Sequence, residues 1–311
     1  MRKRRRNNYI DYNYEEAYKK QIKDLEENNV KRMLATRRLS YVYATKEIRA
    51  GKSLEVEIYP EFTRTRRDEI PEGGRRKENR LAQQNLNERN SRKRCERLIA
   101  ANFGDGDIWI TLTYSKEYEP ASIQVAKRNM QNYVRRLNTY RKKQGLGNAK
   151  YIYVTECGDK GRIHHHMIMS GDIDLDTAEK LWMYGGRNQV RRAREDKDGL
   201  TGMARYITKP KGKGKEENKN QKIWTGSRNL EKPAETKNHY KTKQNQVEKM
   251  VRGILPVETH LEKWYGQEGY ETAEYQIRYN DWNGQYYVYA RMRLVEGRKN
   301  ESENSKKKRR C

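Results

Sequence analysis

Three of the five histidines in this chain are consecutive, His164, His165 and His166, in the stretch TECGDKGRIHHHMIMSG between a glycine-containing turn and an apolar run. On a β-strand, side chains two residues apart share a face, so His164 and His166 point together and His165 points to the other side. Two imidazoles on one face make half a metal site. A hairpin turning around Lys160 sets Glu156 opposite His164 and on the same face, as a third ligand. Two neutral imidazoles and a carboxylate leave positions open for water or a phosphate oxygen, which suits a Lewis-acid catalyst, with Mn2+ or Mg2+ as the natural divalent occupant. Cys157, beside Glu156, would suit zinc, but the spacing offers no fourth ligand for a closed zinc site. Three packed histidines without metal are the alternative that the Glu156 register argues against.

A second set of residues follows in MARYITK, where Tyr206 and Lys209, three apart on a helix, share a face within reach of one anion. A phenol with a pKa of about 10 is a poor nucleophile at neutral pH unless a metal or a nearby cation favours the phenolate. Lys209 is such a cation, or it stabilises charge on a phosphate. With 23 tyrosines in the chain, a lone YxxK would usually be packing or surface, and its position downstream of the histidine hairpin is what singles it out.

The elements that must position these groups are legible from Gly104 onward. DIWITLTYS reads as a strand, SIQVAKRNMQNYVRRLNTYRKK as a helix, KYIYVTE and IHHHMIMS as strands, LDTAEKLWMYG as a short helix entered through Asp174, RNQVRRARE as a strand, and GLTGMARYITK as a helix stopped before Pro210. The order β-α-β-β-α-β-α predicts an α+β class with the split βαβ arrangement, an antiparallel sheet carrying its helices on one face and leaving the other free for nucleic acid. Before it, residues 1–75 form a basic arm with a helix and a hairpin (SYVYATKEI, LEVEIYPEF), and residues 76–103 a long basic helix whose apolar positions are too sparse for deep burial. After the core at 104–230 come a basic linker at 231–254, a C-terminal hairpin at 255–296 around NDWNG, and a basic tail at 297–311.

Composition narrows the partners. The formal net charge is +26, with 36% charged and 33% apolar residues, and basic runs MRKRRR and KKKRR. Such a charge calls for a polyanion, and nucleic acid leads. No apolar run approaches a membrane span and no hydrophobic segment follows the first basic run, so a cytoplasmic protein with no membrane partner is expected. Cys95, Cys157 and Cys311 make no CxxC, and no GxxxxGKS/T is present, so neither a zinc finger nor ATP hydrolysis is expected. Strand separation then falls to a separate helicase.

WITLTY, GRIHHHMI and ARYITK together resemble the three motifs of the HUH endonucleases, in particular the single-tyrosine rolling-circle replication initiators of phages and plasmids. The resemblance is close over 107–209 and looser through the preceding helix and the following IWTGSRNLEKP. It implies metal ligands at His164 and His166 with Glu156 as the acidic ligand, a nucleophile at Tyr206, an assisting lysine at Lys209, and Thr111 and Thr113 in the first motif. Two positions depart from the pattern: His165 stands where a bulky apolar residue is usual, and Pro210 where an aromatic often follows the lysine. The function implied is nicking of single-stranded origin DNA in a host cytoplasm, with a 5′-phosphotyrosine intermediate and a free 3′-hydroxyl for a host polymerase. A conjugative relaxase or a single-tyrosine transposase shares that chemistry, and a non-catalytic basic DNA- or RNA-binding protein is the reading of another class. Thr111, Thr113, Arg128, Arg135, Arg136, Arg162, Arg205 and Lys211 are the expected DNA contacts, since cations interleaved with tyrosines suit a phosphate backbone and stacked bases.

Overall fold

A computed structural model describes residues 39–64, 80–158, 161–196, 199–208, 224–280 and 284–295. The expected N-terminal helix, the basic runs at both ends, the lysine loop, Lys209 and Lys211 lie outside the described residues. In chain order the strands are β1 (Leu39–Ala50), β2 (Ser53–Arg64), β3 (Ile108–Leu112), β4 (Tyr151–Cys157), β5 (Ile163–Met169), β6 (Gln189–Arg192), β7 (Thr225–Gly226), β8 (Ala234–Asn238), β9 (Tyr270–Asn280) and β10 (Gln285–Leu294). The helices are α1 (Arg80–Asn102), α2 (Ile123–Lys143), α3 (Leu175–Lys180), α4 (Thr201–Ile207), α5 (Gln244–Val251) and α6 (Val257–Tyr265). They divide into two compact units, one of Met1–Asn90 with Pro233–Cys311, the other of Ser91–Lys232.

The first unit is an antiparallel sheet in the order β8-β1-β2-β10-β9. Gly51, at φ 56, and Lys52 close the β1–β2 turn, where a side chain at Gly51 would be strained. Leu54, Val56, Ile58, Val288, Ala290 and Met292 alternate onto one face and meet Val247 and Met250 of α5 and Val257, Leu261 and Tyr265 of α6. Two differences from the sequence reading appear here. The hairpins near the two ends of the chain join edge to edge, Ser53 to Ile58 pairing with Val288 to Arg293. The stretch read as a basic linker holds β8 and α5, because AETKN is a polar edge strand without apolar alternation and α5 buries only a short stripe.

A polar network lies within this unit. Glu47 accepts from Lys241 at 2.6 Å, and Thr242 bridges Thr45 (3.1 Å) and the His260 Nε2 (2.9 Å). Burial pushes the His260 imidazolium down to about 4. Its unfolded value near 6.5 is higher, so between these values the unfolded chain binds the extra proton and stability falls as pH drops below about 6.5. Thermal melts from pH 7 to pH 5 are expected to shift downward, and less so in His260→Gln; equal slopes for both proteins would contradict this.

The second unit carries the sheet β6-β3-β5-β4-β7, antiparallel throughout, with α2 crossing from β3 to β4 so that β5 pairs with both. This is the expected split βαβ arrangement. One face, with Ile108, Ile110, Tyr153, Met167 and Met169, packs on Met130, Tyr133 and Leu137 of α2 and Ala178 of α3. The Asp174 carboxylate caps α3 by accepting from the Thr177 N–H at 2.7 Å.

The other face is not left free as expected. Trp109, Ile152, Val154 and Ile168 pack on Cys95, Leu98, Ile99 and Phe103 and on Leu200 and Ala204. α1 is therefore deeply buried in its second half, with Cys95 fully inaccessible. The residues 95, 98 and 99 have i, i+3, i+4 spacing, a local stripe that an average over the whole helix dilutes. Each such aliphatic residue contributes about 1.5–3 kcal/mol by leaving water. What stays uncovered is the end of this face carrying the histidines.

Candidate active site

β4 and β5 pair Glu156 with His164, the register expected from the turn. Strand alternation then puts Glu156, His164 and His166 on the face that also carries Trp109 and Thr111 of β3. The His164 and His166 rings stand 5.0 Å apart at 84°. Their Nε2 atoms lie 3.6 and 3.8 Å from the same oxygen of Glu156, and one ligand atom from each of the three residues falls within 4.8 Å of the others.

The far side of each ring is held. Nδ1 of His166 shares a 3.0 Å hydrogen bond with the Thr111 hydroxyl, and Nδ1 of His164 donates to the Arg162 carbonyl at 3.4 Å. A proton on Nδ1 leaves Nε2 with its lone pair turned toward Glu156, as a metal-ligating imidazole requires. Burial first, and then the neighbouring His164, pushes the His166 imidazolium down to about 4, so that ring is neutral at pH 7. Two oriented neutral imidazoles and a carboxylate fit a divalent cation that keeps open positions.

His165 answers the question of which pair belongs together. It faces the α2 side, fully buried, with Nε2 2.8 Å from the Tyr114 hydroxyl and Nδ1 3.0 Å from that of Thr155. Both nitrogens are engaged, and burial pushes its imidazolium down to about 3. It serves as a hydrogen-bonded core residue where a bulky apolar side chain would otherwise pack.

α4 is anchored through Leu200 and Ala204 in the core, and one turn presents Tyr206 outward, 57% exposed. Its ring centroid lies 5.4 Å from that of His166, edge to face. Trp109 stacks on the same imidazole at 6.3 Å. Tyr206, the two outward histidines and Thr111 line an open cleft of about 470 Å3. The phenol and the triad are thus neighbours on one surface.

The expected DNA contacts separate. Thr111 and Thr113 line the cleft, Thr111 as a brace for His166 and Thr113 as a donor to the Arg187 carbonyl at 2.9 Å. Arg205 is next to Tyr206, 3.9 Å from Glu96, and Arg162 flanks His164, 3.7 Å from Glu119. Arg128, Arg135 and Arg136 lie on α2, which covers the opposite face, and the structure does not bring them to the cleft. Arg136 donates to the Leu181 carbonyl at 2.9 Å and lies over the Tyr184 ring, a packing role. Cys157 alternates away from Glu156 and is not part of the triad. The cleft residues missed from sequence are Trp109, Arg187, Gln189 and Arg191. The last three had a signal in their period-2 spacing along RNQVRRARE.

No described helix is long and apolar enough to cross a membrane. Residues 107–211 of the 311 match the model of the replication-associated protein ORF2 family, a segment that begins just before β3 and extends past α4, and the match supports a role in DNA replication. No curated protein and no solved structure matches this chain.

Proposed function

We propose that this chain is a replication initiator that nicks single-stranded origin DNA in the cytoplasm of its host, using Tyr206 as nucleophile and Glu156, His164 and His166 as ligands of Mn2+ or Mg2+. The observation that carries the reading is the 5.4 Å approach of the Tyr206 ring to His166, at the open end of the sheet and inside the segment that matches replication-associated proteins.

The Tyr206 oxygen attacks the scissile phosphorus as its proton leaves. The new Tyr206 Oη–P bond forms while the P–O3′ bond breaks, and the bonding pair departs on O3′, which takes up a proton to become the free 3′-hydroxyl. The product is a 5′-phosphotyrosine, so the bond is stored for rejoining. A divalent cation held by the triad supplies Lewis-acid neutralisation of charge on the scissile phosphate. Thr111 keeps the proton on Nδ1 of His166, and the Arg162 carbonyl does the same for His164. Lys209, which sequence places one helical turn after Tyr206, takes the role of the assisting cation. A separate helicase opens the duplex, and a host polymerase extends the 3′-hydroxyl.

The direct test is incubation with single-stranded oligonucleotides and manganese, followed by a denaturing gel. A covalent protein–DNA adduct is expected; its absence on every origin-derived strand would leave the non-catalytic binder. A finer expectation concerns Thr111. Thr111→Val should weaken Mn2+ binding in DNA-free calorimetry about 10-fold, within the range for lost hydrogen-bond partners of metal ligands, and Thr111→Ser should restore it. Unchanged affinity in Thr111→Val would remove the hydroxyl from the arrangement.

A further inference from the structure

The cleft has a second wall that the triad and the tyrosine do not use. β6 is an edge strand whose Gln189 pairs with Thr111 and whose Arg191 pairs with Trp109, so both side chains stand on the face of the triad. Arg187 precedes them by one more step of the same alternation, and all three line the cleft.

The contrast with the next residue is informative. Arg192, on the other face of β6, is fully employed: it donates to the carbonyls of Gly106, at 2.9 Å, Ile173, at 2.8 Å, and Gly171. The guanidinium groups of Arg187 and Arg191 are exposed and have no ion-pair or hydrogen-bond partner among the described residues. Two uncompensated cations beside a cleft repel each other and any bound metal, so their placement has to be repaid by an anion.

The segment carrying Arg187 is also held in place. The Thr113 N–H donates to the Asn188 side chain at 3.0 Å, and the Thr113 hydroxyl to the Arg187 carbonyl. Gly186 makes that approach: its φ is 92, and a Cβ there would lie 2.6 Å from the Thr113 carbonyl carbon. A residue with a side chain would push the segment off β3.

We infer that Arg187 and Arg191 form a second anion subsite, which holds a phosphate of the single strand flanking the one cut at the triad. The inference rests on the nicking reading above. β5 and β6 are two strand spacings apart, about 10 Å, so a guanidinium on β6 reaches a neighbouring phosphate while the scissile one sits over β5. Arginine suits that task because its planar fork takes two phosphate oxygens at once.

The test is salt-dependent binding of a single-stranded oligonucleotide by full-length Tyr206→Phe protein in chelator, where no cutting occurs. Adding Arg187→Gln and Arg191→Gln is expected to weaken binding about tenfold and to flatten the log-log salt slope by about 1.4, two phosphate contacts at roughly 0.7 each. The charge-matched pair Lys142→Gln and Lys143→Gln, on the helix covering the opposite face, is expected to leave the slope unchanged. On a strand that the unsubstituted chain cuts, one neutral methylphosphonate beside the scissile position should cost the parent several-fold in affinity and cost the double variant nothing. An unchanged slope, or an equal methylphosphonate cost in both proteins, overturns the subsite while leaving nicking intact. A parent that binds no single strand and cuts none overturns the nicking reading itself.

Discussion

Tyr206→Phe is expected to abolish the covalent adduct and to lower strand cleavage by roughly a thousandfold or more, because it removes one oxygen and nothing that holds the fold. The ring sits 57% exposed, and its contact with His166 is through the ring edge and face, which phenylalanine retains. Single-strand binding and the thermal melt should therefore match the parent, and the loss is one of chemistry. A denaturing gel with a labelled oligonucleotide reads the outcome directly. An adduct that persists in Tyr206→Phe would transfer the nucleophile's role elsewhere among the 23 tyrosines.

Alanine in the three successive histidines is expected to give two different phenotypes. His164→Ala and His166→Ala each remove an oriented Nε2 from the triad, so Mn2+ binding should weaken by more than the about 10- to 100-fold typical of outer-sphere losses, and cleavage should go with it. His165→Ala leaves the Tyr114 and Thr155 hydroxyls without their ring partner and opens a cavity in a fully buried site. It should cost about 2–4 kcal/mol of stability while sparing metal affinity at a temperature where the variant stays folded. Calorimetric titration of manganese beside thermal melts separates the outcomes. Three variants alike in both measurements would defeat the division that strand alternation imposes.

That division is legible in the sequence. Alternation on a strand assigns His164 and His166 to one side, and a short glycine turn brings Glu156 across from His164, because hairpin register is set by local geometry. The β-α-β-β-α-β-α order is readable for the same reason, since each element announces itself by periodicity within a dozen residues.

Other features depend on partners distant in sequence. The brace on His166 comes from Thr111, 55 residues away, and only the pairing of β3 with β5 brings its hydroxyl to Nδ1. The burial of Cys95, Leu98 and Ile99 requires a sheet face to receive them, which no property of the helix alone supplies. The junction of the first and last hairpins likewise follows from backbone edges that carry no sequence signature. Arg191 and Arg192 are chemically alike and adjacent, yet one ties down loop carbonyls and the other is left to the cleft.

Sequence by itself therefore determined the chemistry available to this protein: which nitrogens share a face, which acid meets them, and which phenol follows on a helix. Tertiary structure alone decided which groups are held, which face stays open and which cations are spare. Local spacing is set by covalent geometry and strand alternation, whereas burial and hydrogen-bond partnership are properties of surfaces that exist only after the chain has closed on itself.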